Sequence, residues 1–343
     1  MLKTILKYVI IVVVVALVGF GIVKDLVDVM SGRKDPMSVA YNGWLAVDGN
    51  RLINEKRENI QLKGLSSHGI QWFDGLYSKA NLERLKQNWG INVFRVAMYT
   101  DPDASGYVQN RDLINKVYEI VDSAIELNMY VIVDWHILKD NNPATYKEEA
   151  KDFFSQVAAK YADKPNVIYE ICNEPNGDDV KWEENVKPYA EELISVIREK
   201  SPKSLIIVGT PDFDRDLRPV GRAPIDSSNI MYALHFYAGS ENGVLRDKID
   251  EFREEKNLAV FVTECGITDY TGDGEIHDEN FKTWINYLNE KGISWIYWSF
   301  SNKDEGSALL KPEYTNFTVD FADYLSDTGK IVKEYFPPKE ENK

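Results

Sequence analysis

Eight short runs rich in β-branched and aromatic residues recur along this chain, with helix-forming stretches between most of them. The runs are "IQLKG" (60–64), "NVFRV" (92–96), "YVIVD" (130–134), "VIYEI" (167–171), "LIIVG" (205–209), "IMYAL" (230–234), "AVFVT" (259–263) and "ISWIY" (293–297). The intervening "RDLINKVYEIVDSAIELN" and "VKPYAEELISVIREK" carry apolar residues at helical period. Strands that alternate with helices pair in parallel, and near-continuous apolar runs imply burial on both faces. Eight such units close into a (β/α)8 TIM barrel, an α/β fold for which 343 residues is an ordinary single-domain length. "WLAVDGNRLINEKREN" (44–59) reads as a hairpin turning at Asp48-Gly49, placed to plug the barrel bottom.

The amino terminus is separate from this pattern. Lys3 and Lys7 precede sixteen uncharged residues, Tyr8 to Val23, before Lys24 and Asp25. As a helix that run spans about 24 Å, slightly short of the bilayer core, though flanking lysines can snorkel. It reads as a secretory signal or an uncleaved signal anchor, and no A-x-A-like site closes it. The anchor, through residues 5–23, is the favoured reading, with cleavage after Ala40 the alternative. Either places the barrel at the cell surface or outside the cell. The expected organisation is signal or anchor at 1–31, a short tether at 32–40, the barrel at 41–337 and a disordered tail at 338–343.

A formal charge of -15 argues against a nucleic-acid or anionic-membrane surface, both of which need clustered Lys and Arg. It suits a neutral substrate, and nineteen Tyr with eight Trp hint at stacking surfaces. Cys172 and Cys265 are too few for a disulfide framework and read as small buried packing residues.

In such a barrel the chemistry gathers where the strands end and the βα loops begin. His68, Arg95, Tyr99, His136, Asn173, Glu174, His235, Tyr237, Glu264 and Trp298 all fall at such ends, including three of the four histidines. Glu174 and Glu264 follow the fourth and seventh runs, where a buried strand has no use for a carboxylate unless a charge is needed. Two carboxylates across a sugar-sized gap are the apparatus of glycosidic bond cleavage. One must be protonated and the other ionised, so their surroundings must push their pKa values apart. Arg95, reaching toward one, would hold it charged, and that charge would keep a proton on the other.

"GLSSHGIQWF", "DWHILKDNNPATYK", "VIYEICNEPNG", "ALHFYAG", "FVTECG" and "WSFSNKDEGSALLKP" together resemble glycoside hydrolase family 5, the cellulase family, and within it the bacterial endo-β-1,4-glucanases. The resemblance spans residues 40 to about 335. It implies a retaining endo-β-1,4-glucanase with no cofactor and no metal, acting on a β-glucan and expected to be a monomer. It implies Glu174 as acid/base and Glu264 as nucleophile, about 5–5.5 Å apart. Arg95 then supports the nucleophile, Asn173 bonds the sugar 2-hydroxyl, and His235 and Tyr237 position the pair. His68 and His136 line the donor side, Trp72 and Trp298 look like stacking platforms, and Lys303 and Glu305 match sugar-binding polar residues. After the fifth run, where relatives often carry Trp, this chain reads "GTPDFDRDL", leaving Phe213 as a smaller face on the leaving-group side. The same pair would serve mannan, lichenan or xyloglucan. A silent glycan-binding barrel would require loss of a carboxylate, and a metal-dependent hydrolase would require ligands at metal spacing. "DYTGDG" (269–274) begins like a calcium loop, but its twelfth position is Asn280 rather than a bidentate Glu.

Overall fold

The computed structural model describes residues 34–336; the apolar run at 8–23 and the tail at 338–343 lie outside the described residues. A two-stranded hairpin, β1 (Ala46–Asp48) and β2 (Arg51–Ile53), turns through Gly49 and Asn50. Gly49 takes φ 63 at the first central position, a conformation that a side chain would strain. Eight further strands follow: β3 (Lys63–Ser67), β4 (Val93–Tyr99), β5 (Tyr130–His136), β6 (Val167–Glu170), β7 (Ile206–Val208), β8 (Ile230–Tyr237), β9 (Val260–Gly266) and β10 (Trp295–Phe300). They close into a barrel, each pairing in parallel with its sequence neighbours and β10 returning to β3. Helices such as Leu113–Glu126, Lys147–Lys160, Lys187–Lys200 and Asp278–Lys291 cover the outside. Ser78 caps the helix Lys79–Trp89 at its start, and Gly90 closes it in the left-handed conformation.

The barrel interior is layered. At the bottom Leu62, Val93, Ile132, Ile168, Ile207, Ala233, Phe261 and Ile296 form one apolar cluster. Leu45 and Leu52 of the hairpin region and Val39 pack into the same cluster, so the hairpin does plug the barrel. Val39 belongs to a helical turn, Val39–Asn42, capped by Ser38, and both Ser38 and Val39 are buried. The folded body therefore begins ahead of Tyr41. One period further along β4, β5 and β6, the inward residues change from apolar to Arg95, Asp134 and Glu170. Above them the barrel opens to the site.

Strand boundaries move toward the carboxyl ends. The first run, read at 60–64, forms its strand at Lys63–Ser67, because Leu62 is spent on the bottom cluster. The polar ends of β4, β5, β8 and β9 remain paired, so Tyr99, His136, His235, Tyr237 and Glu264 lie within strands rather than after them. Asn173 and Glu174 do follow β6.

One irregularity aims a functional residue. Between β8 and β9, Ala233 pairs with Phe261 but His235 pairs with Glu264, so β9 holds one extra residue. The same shift recurs against β10, where Trp295 pairs with Val262 and Tyr297 with Cys265. Phe261 packs in the interior cluster and Val262 and Cys265 pack outside. Strict alternation would send Glu264 outward with Val262; the bulge turns it into the barrel.

Candidate active site

Arg95, fully buried on β4, is the hub of the site. Its Nε and Nη2 donate to Glu170 at 2.7 and 3.2 Å, and Nη2 also reaches Asn173 Oδ1 at 2.7 Å. Nη2 lies 3.0 Å from Asp134, and Nη1 donates to Glu264 Oε2 at 3.0 Å. Burial works against the guanidinium charge, but the carboxylates of Asp134, Glu170 and Glu264 more than offset it. Burial pushes the Asp134 carboxyl up to about 7 against the pull of Arg95. Its Oδ2 accepts from His136 Nδ1 at 2.7 Å, and burial followed by Arg95 keeps that imidazole neutral. His136 then presents Nε2 as an acceptor, the tautomer being assigned from its hydrogen bond. Asn173 donates to the Ile137 carbonyl at 2.8 Å, which leaves one amide N–H for a ligand.

Glu264 accepts from Arg95 and, through Oε1, from the Tyr237 hydroxyl at 2.7 Å. Among the described residues the Glu174 carboxyl has one hydrogen-bonding partner, His235 Nδ1, at 2.8 Å from Oε1. A carboxylate oxygen of each glutamate lies within 4.8 Å of the other. Burial raises both groups, Glu174 to about 8 and Glu264 to about 7. At Glu264, His235, Arg95 and the tyrosine hydroxyl favour the anion against the charge of Glu174; at Glu174, Arg95 and Arg215 favour the anion but Asp134 and Glu170 favour the proton. Glu264 is the better anion and Glu174 the better acid, the division that two-carboxylate chemistry needs. Glu174 also has φ 40, a strained value for a non-glycine residue.

The cleft has two lobes that meet at Leu138. The larger, about 680 Å³, is lined by His68, Trp72, Tyr99 and Lys303. Trp72 is 46% exposed and stands ready as a stacking face, whereas Trp298 sits deep, stacked on His136 with centroids 5.2 Å apart. Tyr99 lies between His68, Trp72 and His136. Lys303 and Glu305 form an ion pair, and Lys303 reaches His68 Nε2 at 3.4 Å. Burial and then Lys303 push the His68 imidazole down to about 3, so it is neutral. Its Nδ1 accepts from the Gly69 N–H at 2.7 Å.

The smaller lobe, about 360 Å³, holds Glu174, His235, Tyr237, Phe213, Arg215, Glu241 and Tyr270. Phe213 is 43% exposed and Tyr270 76%. In the loop at 269–274, Asp269 accepts from the Thr271 N–H and closes a turn, while Asp273 accepts from the Gly306 N–H and ties this loop to the one after β10.

Every candidate site residue named from the sequence thus lies at or just beneath the barrel mouth. Reading strand ends missed Asp134, Glu170, Asp214, Thr263 and Tyr270. For the first two a signal existed: a carboxylate inside an apolar run, in "YVIVD" and "VIYEI".

A (β/α)8 barrel with two glutamates facing at its mouth is the layout of a glycoside hydrolase. The family model described as Cellulase (glycosyl hydrolase family 5) matches residues 53–304, and the chain belongs to that family. It is 45% identical to Endoglucanase 5 of Pectobacterium carotovorum subsp. carotovorum over 86% of this chain and 58% of that protein. With Endoglucanase N of Pectobacterium atrosepticum it shares 45% identity over 86% of this chain and 66% of that one. The chain thus spans only part of the curated relatives it matches. The solved catalytic domain of Thermobifida fusca endoglucanase Cel5A (E5) superposes with TM-score 0.82 at 36% identity, covering 87% of this chain and 98% of that one. A structure of the same domain in complex with cellotetraose gives TM-score 0.81 at 36% identity, over 87% of this chain and 98% of that one.

Proposed function

We propose that this chain is a retaining endo-β-1,4-glucanase, with Glu174 as acid/base and Glu264 as nucleophile. The observation that carries the reading is the facing pair itself, with oxygens within 4.8 Å and the proton held more tightly at Glu174 than at Glu264. That gap suits direct attack on the anomeric carbon; an inverting enzyme leaves room for a water, about 6.5–9.5 Å between carboxyls. Glu174 protonates the leaving oxygen while Glu264 forms a glycosyl ester. Glu174, now ionised, then takes a proton from the water that releases it. Arg95 and Tyr237 hold Glu264 for attack, and the spare Asn173 N–H is placed for the sugar 2-hydroxyl.

Lobes on both sides of the pair support cleavage within a chain rather than at its end. The cellotetraose complex of a relative supports a β-1,4-glucan as the polymer. We propose a monomer as the working unit, to be tested by the solution mass of the protein. The test is product stereochemistry, read by NMR on soluble β-glucans, mannan and xylan. A first product of inverted anomeric configuration overturns the mechanism, and turnover confined to mannan or xylan overturns the substrate.

We also read the barrel as working at the cell surface, tethered by the apolar run at 8–23 with the amino terminus inside, as Lys3 and Lys7 favour. No helix among the described residues is long and apolar enough to cross a membrane, and that run lies outside them.

A further inference from the structure

Asp214 is fully buried behind Glu174 and has no part in the scheme above. Its Oδ2 accepts the backbone N–H of Glu174 at 3.0 Å and lies 3.3 Å from His235 Nε2. The other face of His235 meets Glu174 Oε1, so imidazole and carboxylate form one line, Asp214–His235–Glu174. Asp214 Oδ1 accepts the Thr210 N–H. Asp212, Phe213 and Asp214 all take φ near 60, a left-handed turn that non-glycine residues avoid, and the Phe213 N–H donates to the Pro175 carbonyl. Two strained segments, this turn and Glu174 at φ 40, are therefore tied together at Asp214. Strain persists where the surroundings over-determine it.

We propose that Asp214 is a positioning residue for the acid/base, acting on Glu174 through its backbone N–H and through the His235 imidazole. The inference rests on the assignment of Glu174 made above. The groups facing Asp214 are His235 of β8, Glu170 of β6, the Cys172 thiol just past β6, Glu174, and the Thr263 hydroxyl of β9, which bonds His235 Nε2 at 3.0 Å. Arg215, the adjacent cation, is paired instead with Glu241. A carboxylate at this position orients the ring and, by its field, favours the proton on Glu174. An amide keeps the oxygen that accepts the Glu174 N–H but removes the charge.

The full chain is compared with Asp214→Asn, Asp214→Ala and Glu174→Ala. Each is assayed for kcat/KM on a soluble β-glucan, whose leaving group needs a proton, and on 2,4-dinitrophenyl cellobioside, whose leaving group does not. General acid catalysis contributes about 10²–10⁴-fold, and Asp214→Asn should forfeit about tenfold of it on glucan and under about threefold on the aryl glycoside. Its alkaline limb on glucan should move to lower pH, because the field that holds the proton is gone. Asp214→Ala should lose more, with the same selectivity, while Tm confirms that both variants fold. Equal losses on both substrates, or an unmoved alkaline limb, overturn the proposal if Glu174→Ala still loses glucan activity selectively. If Glu174→Ala shows no such selectivity, the acid/base assignment itself fails and takes the proposal with it.

Discussion

At Glu264 an arginine and a tyrosine both donate, whereas Glu174 meets one imidazole and the negative charges of Asp134 and Glu170 behind it. Turnover needs the first ionised and the second protonated, so kcat/KM should rise as pH passes the lower apparent pKa of the pair and fall past the higher. With both raised, to about 7 and about 8, the bell should centre near neutrality or just above it rather than in the usual carboxylate range. An optimum below pH 5 on soluble β-glucan would contradict this. Glu264→Gln should abolish a trapped glycosyl adduct by mass spectrometry. Glu174→Gln should cost about 10²–10⁴-fold on glucan yet spare aryl glycosides with good leaving groups. The raised pKa of Glu174 also bears on stability. The folded state holds this proton more tightly than the unfolded chain, so the linked stability is full near pH 4.5 and declines as pH climbs through about 8. Glu174→Gln removes that titration, so its Tm relative to the parent should grow between pH 5 and pH 9, by about 1.5 °C for each kcal/mol relieved. A difference constant across that range would show that Glu174 does not titrate with a raised pKa.

Three elements make the site, and they differ in how far the sequence announces them. The barrel strands do announce themselves, since burial on both faces writes an apolar run, and a glutamate at the tip of such a run stands out. The β9 bulge does not: "AVFVTECG" reads the same with or without an extra residue, because register is set by β8 and β10, not by β9. Glu264 was legible as a residue while the device that aims it was not. The left-handed turn is more opaque still. Asp214 sits in "PDFDRDL" with two other aspartates, and only the fold shows which one is buried against His235. Asp134 and Glu170 gain meaning only opposite Arg95, from strands that neighbour one another in the closed barrel. The turn supports a prediction of its own. Phe213 holds φ 58 and exposes its ring to the leaving-group lobe, so it trades backbone strain for a contact face. Phe213→Gly should relieve about 1–2 kcal/mol of left-handed cost, less about 0.5–1 for the added freedom of the unfolded chain. The expected result is a slightly higher Tm together with a raised KM for longer cello-oligosaccharides. A lower Tm would mean that ring packing, not strain, dominates at this position.

For the molecule as a whole, the question is how the barrel is joined to its amino-terminal apolar run. Residues 35–42 are bound into the barrel bottom. Val39 packs with Leu45, Leu52 and the inward ends of the strands. The Val39 N–H donates to the Asn128 carbonyl at 3.2 Å, and the Ala40 N–H to Asn128 Oδ1 at 2.8 Å. Asn42 donates to the carbonyls of Pro36 and Ser38, and the Tyr41 N–H to the Ser38 hydroxyl. Cleavage after Ala40 would remove a buried valine worth about 1.5 kcal/mol or more, a capping serine worth about 1, and the bonds to Asn128. A processing site there would open the plug of the barrel, whereas an uncleaved anchor leaves it intact. Two chains beginning at Lys34 and at Tyr41 should therefore differ in stability by about 2–4 kcal/mol, with Tm lower in the shorter by about 1.5 °C for each kcal/mol. In the native host, intact mass and fractionation should find the longer form with the membranes. Equal Tm values for the two chains, together with a mature protein that starts near Tyr41 and is free in the medium, would end the anchor reading.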